Sequence, residues 1–215
     1  MHSEIRDSTT KQEVVVQYRD HDDDELGETL SLAKIWEIFS QIRTPALSVW
    51  FVFTVTIGIF PSLIVLIEST ERCKSNERFY NDLFTPFFFL LFNLFDLSGR
   101  LIAGATKPIF TTSNVWMASV ARVIFFPLFL FCNVSNSRLP VWFKSDAFPI
   151  IFMILFAITN GYVASTCMML GPTAVKVKDA AVSGTIMVLS LTIGLFTGAC
   201  VSFLTVFISQ GSGSF

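Results

Sequence analysis

The longest stretches without a charged residue decide which solvent this chain folds in. No Asp, Glu, Lys or Arg occurs between Arg43 and Glu68, between Asp146 and Lys176, or beyond Asp179, and each of these stretches is predominantly apolar. A helix needs about 20 mostly apolar residues to cross the hydrocarbon layer of a bilayer. Buried helices of soluble proteins carry shorter apolar runs and an opposite polar face. Lipid is therefore the expected solvent. With 52% hydrophobic residues, 24 Phe and a mean hydropathy of +0.61, a chain of 215 residues has more apolar surface than a soluble core of that size could hide.

The fold class that follows is all-α: a polytopic bundle of five transmembrane helices over residues 46–208, with spans at 47–67, 83–105, 115–133, 147–170 and 180–208. Pro61 is expected to bend the first span near one end. The charged segment Glu68 to Asp82 reads as a wet loop, as does Asn133 to Asp146, and Gly171-Pro172 closes the fourth span. Ahead of the bundle, Leu32, Ile35, Trp36, Phe39 and Ile42 recur at helical spacing, which predicts an amphipathic interfacial helix within 30–45. Residues 1–29 are charged and unpatterned and read as a disordered acidic tail, and 209–215 as a short tail on the opposite side.

Charge is distributed unevenly. Met1 to Ala46 carries ten acidic and five basic residues, so the overall −2 conceals a positive remainder. Five spans put the termini on opposite sides, but loop basic residues do not orient them. Lys34, Arg43, Lys107, Lys176 and Lys178 balance Arg72, Lys74, Arg78, Arg138 and Lys144. Asn133-Val134-Ser135 is a glycosylation sequon close to the membrane. Cys73, Cys132, Cys167 and Cys200 have neither paired nor metal-binding spacing and read as packing residues, a Cys73 to Cys132 pair being the one alternative. His21 beside Asp22, Asp23 and Asp24 belongs to a solvated acidic segment with no fixed coordination geometry. No metal or cofactor is expected.

The chemistry concentrates in the second span. Asp96 and Arg100 lie four residues apart on one helical face, with Asn93 and Phe89 on the preceding turns. Two ionised residues at about 2.5 to 3.5 kcal/mol each roughly cancel thirteen Leu, Ile and Phe at about 0.3 to 0.6 kcal/mol each. The polar stripe must therefore turn from lipid toward other helices or a watery cavity. It serves either as a structural ion pair or as part of a substrate pathway. Arg122 in the third span lacks a carboxylate in its own helix, leaving Asp96, backbone carbonyls or the interface as partners. Thr159, Asn160, Tyr162, Ser165 and Thr166 form a polar patch around Gly161, suited to interhelical hydrogen bonding or to substrate contact. Gly194 and Gly198 have the small-xxx-small spacing of close helix packing.

Phe92-Asn93-Leu94-Phe95-Asp96-Leu97-Ser98-Gly99-Arg100 resembles the Asn-x-x-Asp-x-x-Gly-Arg signature of equilibrative nucleoside transporters. The likeness continues through Ala121-Arg122 with Phe125, Pro127, Cys132 and Asn133, through Asn160-Gly161-Tyr162 with Ser165, through Gly171-Pro172, and to Gly184 with Met187. It implies an eleven-helix fold related to the major facilitator superfamily, of which this chain corresponds to helices seven to eleven. It also implies a cytoplasmic amino-terminal segment and an external carboxyl terminus. By the same likeness Asp96 and Arg100 would meet the ribose hydroxyls of a nucleoside, Asn93 and Phe89 would line the cavity, and Leu195 would affect affinity or selectivity. Arg122, Asn160, Gly194 and Gly198 would have structural or gating roles.

Two functions remain. One is facilitated diffusion of nucleosides such as uridine or adenosine across the plasma membrane, with an amino-terminal half or a full-length transporter completing the pathway. The other is a non-transporting membrane subunit that associates with a full-length carrier. An enzyme is not expected, because H-E-x-x-H, G-x-S-x-G and paired intramembrane carboxylates do not occur. Nucleic-acid binding lacks its basic patch.

Overall fold

A computed structural model describes residues 32–72, 77–106, 108–135, 137 and 140–210. The expected acidic tail over 1–29, His21 and Cys73 lie outside the described residues, as does the carboxyl-terminal tail beyond Gln210. The described residues form helices α1 (Leu32–Ile59), α2 (Phe84–Ala105), α3 (Val115–Ala121), α4 (Phe125–Leu130), α5 (Ala147–Thr173) and α6 (Ala180–Gln210). Four helical segments, Leu32–Leu66, Phe79–Ala105, Ala147–Thr173 and Val177–Ser209, are long and apolar enough to cross a membrane, and Val115–Leu130 is a shorter apolar one.

Several element boundaries differ from the sequence reading. α5 runs through Pro172 to Thr173 instead of closing at Gly171-Pro172, and a π-helical turn at Phe79–Leu83 leads into α2 from what reads as loop. Three larger differences have local reasons. The interfacial helix and the first span merge into one continuous α1 with Pro45 inside it, and Ile38, Ile42, Ala46 and Val49 are all buried. One buried stripe thus crosses the expected break. α1 then stops at Ile59, two residues before Pro61, instead of continuing through it to Ile67. Proline restricts the residue ahead of it and cannot donate to the helical ladder. The third span is not uniform. α3 and α4 are separated by a 3-10 turn at Arg122–Ile124. Pro127 lacks the N–H that would bond the Val123 carbonyl, so the turn before it tightens.

α1 packs chiefly on α6, and α2 chiefly on α5. Glycine sets both approaches. A Cβ on Gly194 would strike the Trp50 backbone, and one on Gly198 would strike Ile57 and the carbonyls of Phe53 and Thr54. The Thr54 and Thr197 hydroxyls then meet at 2.7 Å. In the second pair a Cβ on Gly99 would overlap the Ile158 carbonyl, while one on Gly161 would overlap the Asp96 carbonyl. Two helices that cross glycine on glycine bring their backbones into contact.

The apolar interior divides in two. One cluster includes Val55, Ile59, Phe88, Phe125, Phe129 and Phe156. The other includes Ile42, Val49, Val52, Ala103, Val115 and Val163. Along α1 the change falls between Val52 and Val55, along α5 between Phe156 and Tyr162, and along the third span between Val115 and Phe125. A polar layer occupies that junction.

Loops tie the helix ends together. The Asp146 carboxylate accepts from the Ser69 hydroxyl at 2.5 Å and from the Thr70 backbone N–H at 2.8 Å. The Asn133 side-chain amide donates to the Glu68 carbonyl at 2.9 Å, and Ile67 and Val134 form an isolated antiparallel bridge. At the other end Lys34 lies 3.6 Å from the buried Asp179.

Candidate functional site

Phe89, Asn93, Asp96 and Arg100 form one stripe along α2. One position further on, about 100° around a helix, Leu90, Leu94, Leu97 and Leu101 form an exposed apolar ridge. Phe88, Leu91, Gly99 and Ala103 occupy the buried face. The polar stripe thus lies between the packed face of α2 and its leucine ridge.

Arg100 donates through Nε to Asp96 Oδ2 at 2.7 Å, leaving its terminal nitrogens on the exposed side, where the arginine side chain is 44% accessible and that of Asp96 13%. Asp on the amino-terminal side of Arg at this spacing is a favourable helical arrangement. The other Asp96 oxygen turns inward. Asn160 Nδ2 on α5 donates to Asp96 Oδ1 at 2.7 Å, a reach made possible by the Gly99 and Gly161 crossing.

Behind Asn160 sits Arg122, 2% exposed. Its guanidinium donates to the Phe156 carbonyl at 2.9 Å, the Thr159 hydroxyl at 2.5 Å, the Thr56 hydroxyl at 3.0 Å and Asn160 Oδ1 at 3.3 Å. It also lies 4.7 Å from the centre of the Phe156 ring, whose face attracts a cation. Of the partners open to Arg122, the structure supplies a backbone carbonyl directly and Asp96 only through Asn160. The side chain does not snorkel to an interface.

The 3-10 turn of the third span starts at Arg122 itself. Thr56 had no sequence signal that set it apart from Thr54 two residues earlier. Its importance appears only when α1, α3 and α5 come together. The Thr56 hydroxyl reaches Asn160 Oδ1 at 2.6 Å and the Val52 carbonyl at 2.7 Å, and its single proton can serve one of them at a time.

The remaining sequence candidates lie apart from this network. Asn93 is exposed and donates to the Phe89 carbonyl of its own helix at 2.7 Å. Phe89 is half-buried, its ring 4.8 Å from that of Phe60. Leu195 is 36% exposed on α6, whose main packing partner is α1 rather than α2. Gly194 and Gly198 serve the α1 contact. An apolar cavity of about 510 Å³ between α2, α3 and α5 reaches Arg122, Thr159 and Tyr162, but its lining does not include Asp96 or Arg100. Cys132 and Cys167 are buried free thiols, and Cys200 is free and exposed. Among the described residues no group of His, Cys, Asp and Glu is arranged to hold a metal.

Long apolar helices joined through a buried layer of charges and amides define a multi-pass membrane protein. Residues 2–207 match the family model for nucleoside transporters, and the chain belongs to that family. It is 42% identical over 171 residues to human equilibrative nucleoside transporter 1 and 37% identical over 172 residues to human equilibrative nucleoside transporter 2. These alignments cover 78% and 79% of this chain, and 37% of each relative. Equilibrative nucleotide transporter 8 of Arabidopsis thaliana is 26% identical over 174 residues, covering 81% of this chain and 42% of the relative. The chain thus spans well under half the length of these relatives. The family is one of transporters, not enzymes.

Proposed function

We propose that this chain provides one wall of a pathway for facilitated diffusion of nucleosides, with uridine and adenosine as representative solutes and the plasma membrane as its location. The observation that carries the reading is the Asp96 and Arg100 pair. The inner carboxylate oxygen is anchored by Asn160, while the guanidinium terminus stands on an exposed helical face. Vicinal ribose hydroxyls suit such a pair, since each can donate to a carboxylate and accept from a guanidinium. Charge-assisted bonds of this kind discriminate strongly against analogues lacking the hydroxyl. In this reading an amino-terminal half or a full-length carrier supplies the facing wall, because alternating access requires one bundle to rock against another.

The open position of Arg100 also favours a second reading, in which the chain is a non-transporting subunit that docks on a full-length carrier. Radiolabelled uridine uptake separates the two. The chain is expressed in uptake-deficient cells, alone and with the amino-terminal six-helix segment of a full-length relative. Saturable uptake that is lost in Asp96→Asn and Arg100→Ala supports the pathway. Uptake indifferent to both substitutions would remove the pair from the mechanism, and its absence in both settings would leave the subunit reading.

A further inference from the structure

We infer that Asn160 and Arg122 are positioning residues that fix the carboxylate of Asp96, and that they thereby set the preference for ribose hydroxyls. This inference rests on the nucleoside-pathway reading. An arginine can only donate hydrogen bonds and an ionised carboxylate can only accept them. Asn160 lies between one of each, so its amide has a single satisfactory orientation, with Oδ1 toward Arg122 and Nδ2 toward Asp96. The flipped amide would set its NH2 group against the guanidinium and its oxygen against the carboxylate. Arg122 is itself held by a carbonyl and two hydroxyls on two other helices. Its orientation therefore passes through Asn160 to one Asp96 oxygen.

The consequence concerns the other oxygen. With Oδ1 bound inward and Oδ2 taking the Nε of Arg100, the carboxylate plane is held from both sides. The remaining acceptor positions of Asp96 and the terminal N–H groups of Arg100 then present a fixed outward pattern. A fixed acceptor and donor discriminate a hydroxyl more sharply than mobile ones, because no ordering remains to be done on binding. Loss of Asn160 frees Asp96 to follow Arg100.

The test measures uridine against 3′-deoxyuridine, using the two expression settings described above and normalising to surface abundance. In Asn160→Leu the preference for uridine is expected to fall by about tenfold, through a higher KM for uridine and little change for the deoxy analogue. Thr56→Val, nearly isosteric and less disruptive, is expected to lower the preference about two- to threefold by loosening Arg122. A packing role alone would depress both solutes equally. An unchanged preference in Asn160→Leu overturns the inference. Should that variant not reach the membrane, an unchanged preference in Thr56→Val overturns it instead. Asp96→Asn is the discriminating control: if it keeps wild-type uptake and preference, the ribose reading itself fails, whereas loss of uptake or of preference in it beside an unchanged Asn160→Leu removes only the positioning role. Absence of uptake in both settings overturns both.

Discussion

Arg122 illustrates how an apolar bundle can hold a cation without a carboxylate in direct contact. A guanidinium presents five donors in a rigid fork, and here its two terminal nitrogens meet a carbonyl, two hydroxyls and an amide oxygen distributed over α1 and α5, while the buried Nε meets no acceptor among the described residues. Lysine has no such fork. We predict that Arg122→Gln lowers the stability of the detergent-solubilised protein by about 1.5 to 3 kcal/mol, the scale of hydrogen bonds to a charged group. Arg122→Lys should recover little of this despite keeping the charge. Fluorescence-monitored thermal unfolding reads both, and a lysine variant as stable as the parent would show that charge alone matters there. The residue types of this site were visible in the sequence, since Asp96, Arg100, Arg122 and Asn160 stand out in apolar surroundings. Their partners were not, because Thr56 and Arg122 are 66 positions apart and neither belongs to a spacing that links them.

At the scale of the element, glycine decides how near the charges come. The α2 and α5 crossing leaves no room for a Cβ on Gly161, whereas Gly104, nearer the end of α2, faces open space. The same substitution should therefore have opposite signs at the two positions. Gly161→Ala is expected to destabilise by about 1 to 3 kcal/mol, as overpacking does, and to separate Asn160 from Asp96. Gly104→Ala is expected to be neutral or to stabilise by up to about 1 kcal/mol, since alanine favours a helix more than glycine does. Midpoints of thermal unfolding for the pair would show whether the close crossing, rather than helix propensity, sets the sign. The motif Asp96-Leu97-Ser98-Gly99-Arg100 suggested chemistry for its charges. That its glycine is a packing contact emerges only from the reciprocal fit with Gly161.

At the scale of the molecule, the two apolar clusters are joined across a polar layer and closed at one end by a clasp of loops. Asp146 reaches back to Ser69 and Thr70, so one carboxylate ties the start of α5 to the segment after α1. Asp146→Ala should cost about 1.5 to 3 kcal/mol in thermal stability without altering discrimination between uridine and its deoxy analogue. A shift in that ratio would mean that the clasp and the polar layer are coupled. The sequon at Asn133 belongs to the same clasp. Its acceptor amide donates to the Glu68 carbonyl, and Val134 is buried in the bridge to Ile67. We expect no mobility change on endoglycosidase treatment of protein made in mammalian cells, and a deglycosylation shift abolished by Asn133→Gln would contradict this.

The sequence by itself determined the solvent, the helical class and the family, because apolar run length and local motifs are properties of contiguous residues. It also placed Phe89, Asn93, Asp96 and Arg100 on one face, since helical periodicity needs no tertiary contact. The sequence reading split α1 into an interfacial helix and a span and ran the third span unbroken, whereas the structure joins the first and breaks the second, because both depend on which neighbours cover them. Tertiary structure alone decided that Asp96 is anchored through Asn160 to Arg122, that Thr56 joins them, and that Asn93 and Leu195 stand outside the network. Hydrogen bonds between helices depend on rotation and crossing distance, and here backbone contact at Gly99 and Gly161 fixes both for α2 and α5.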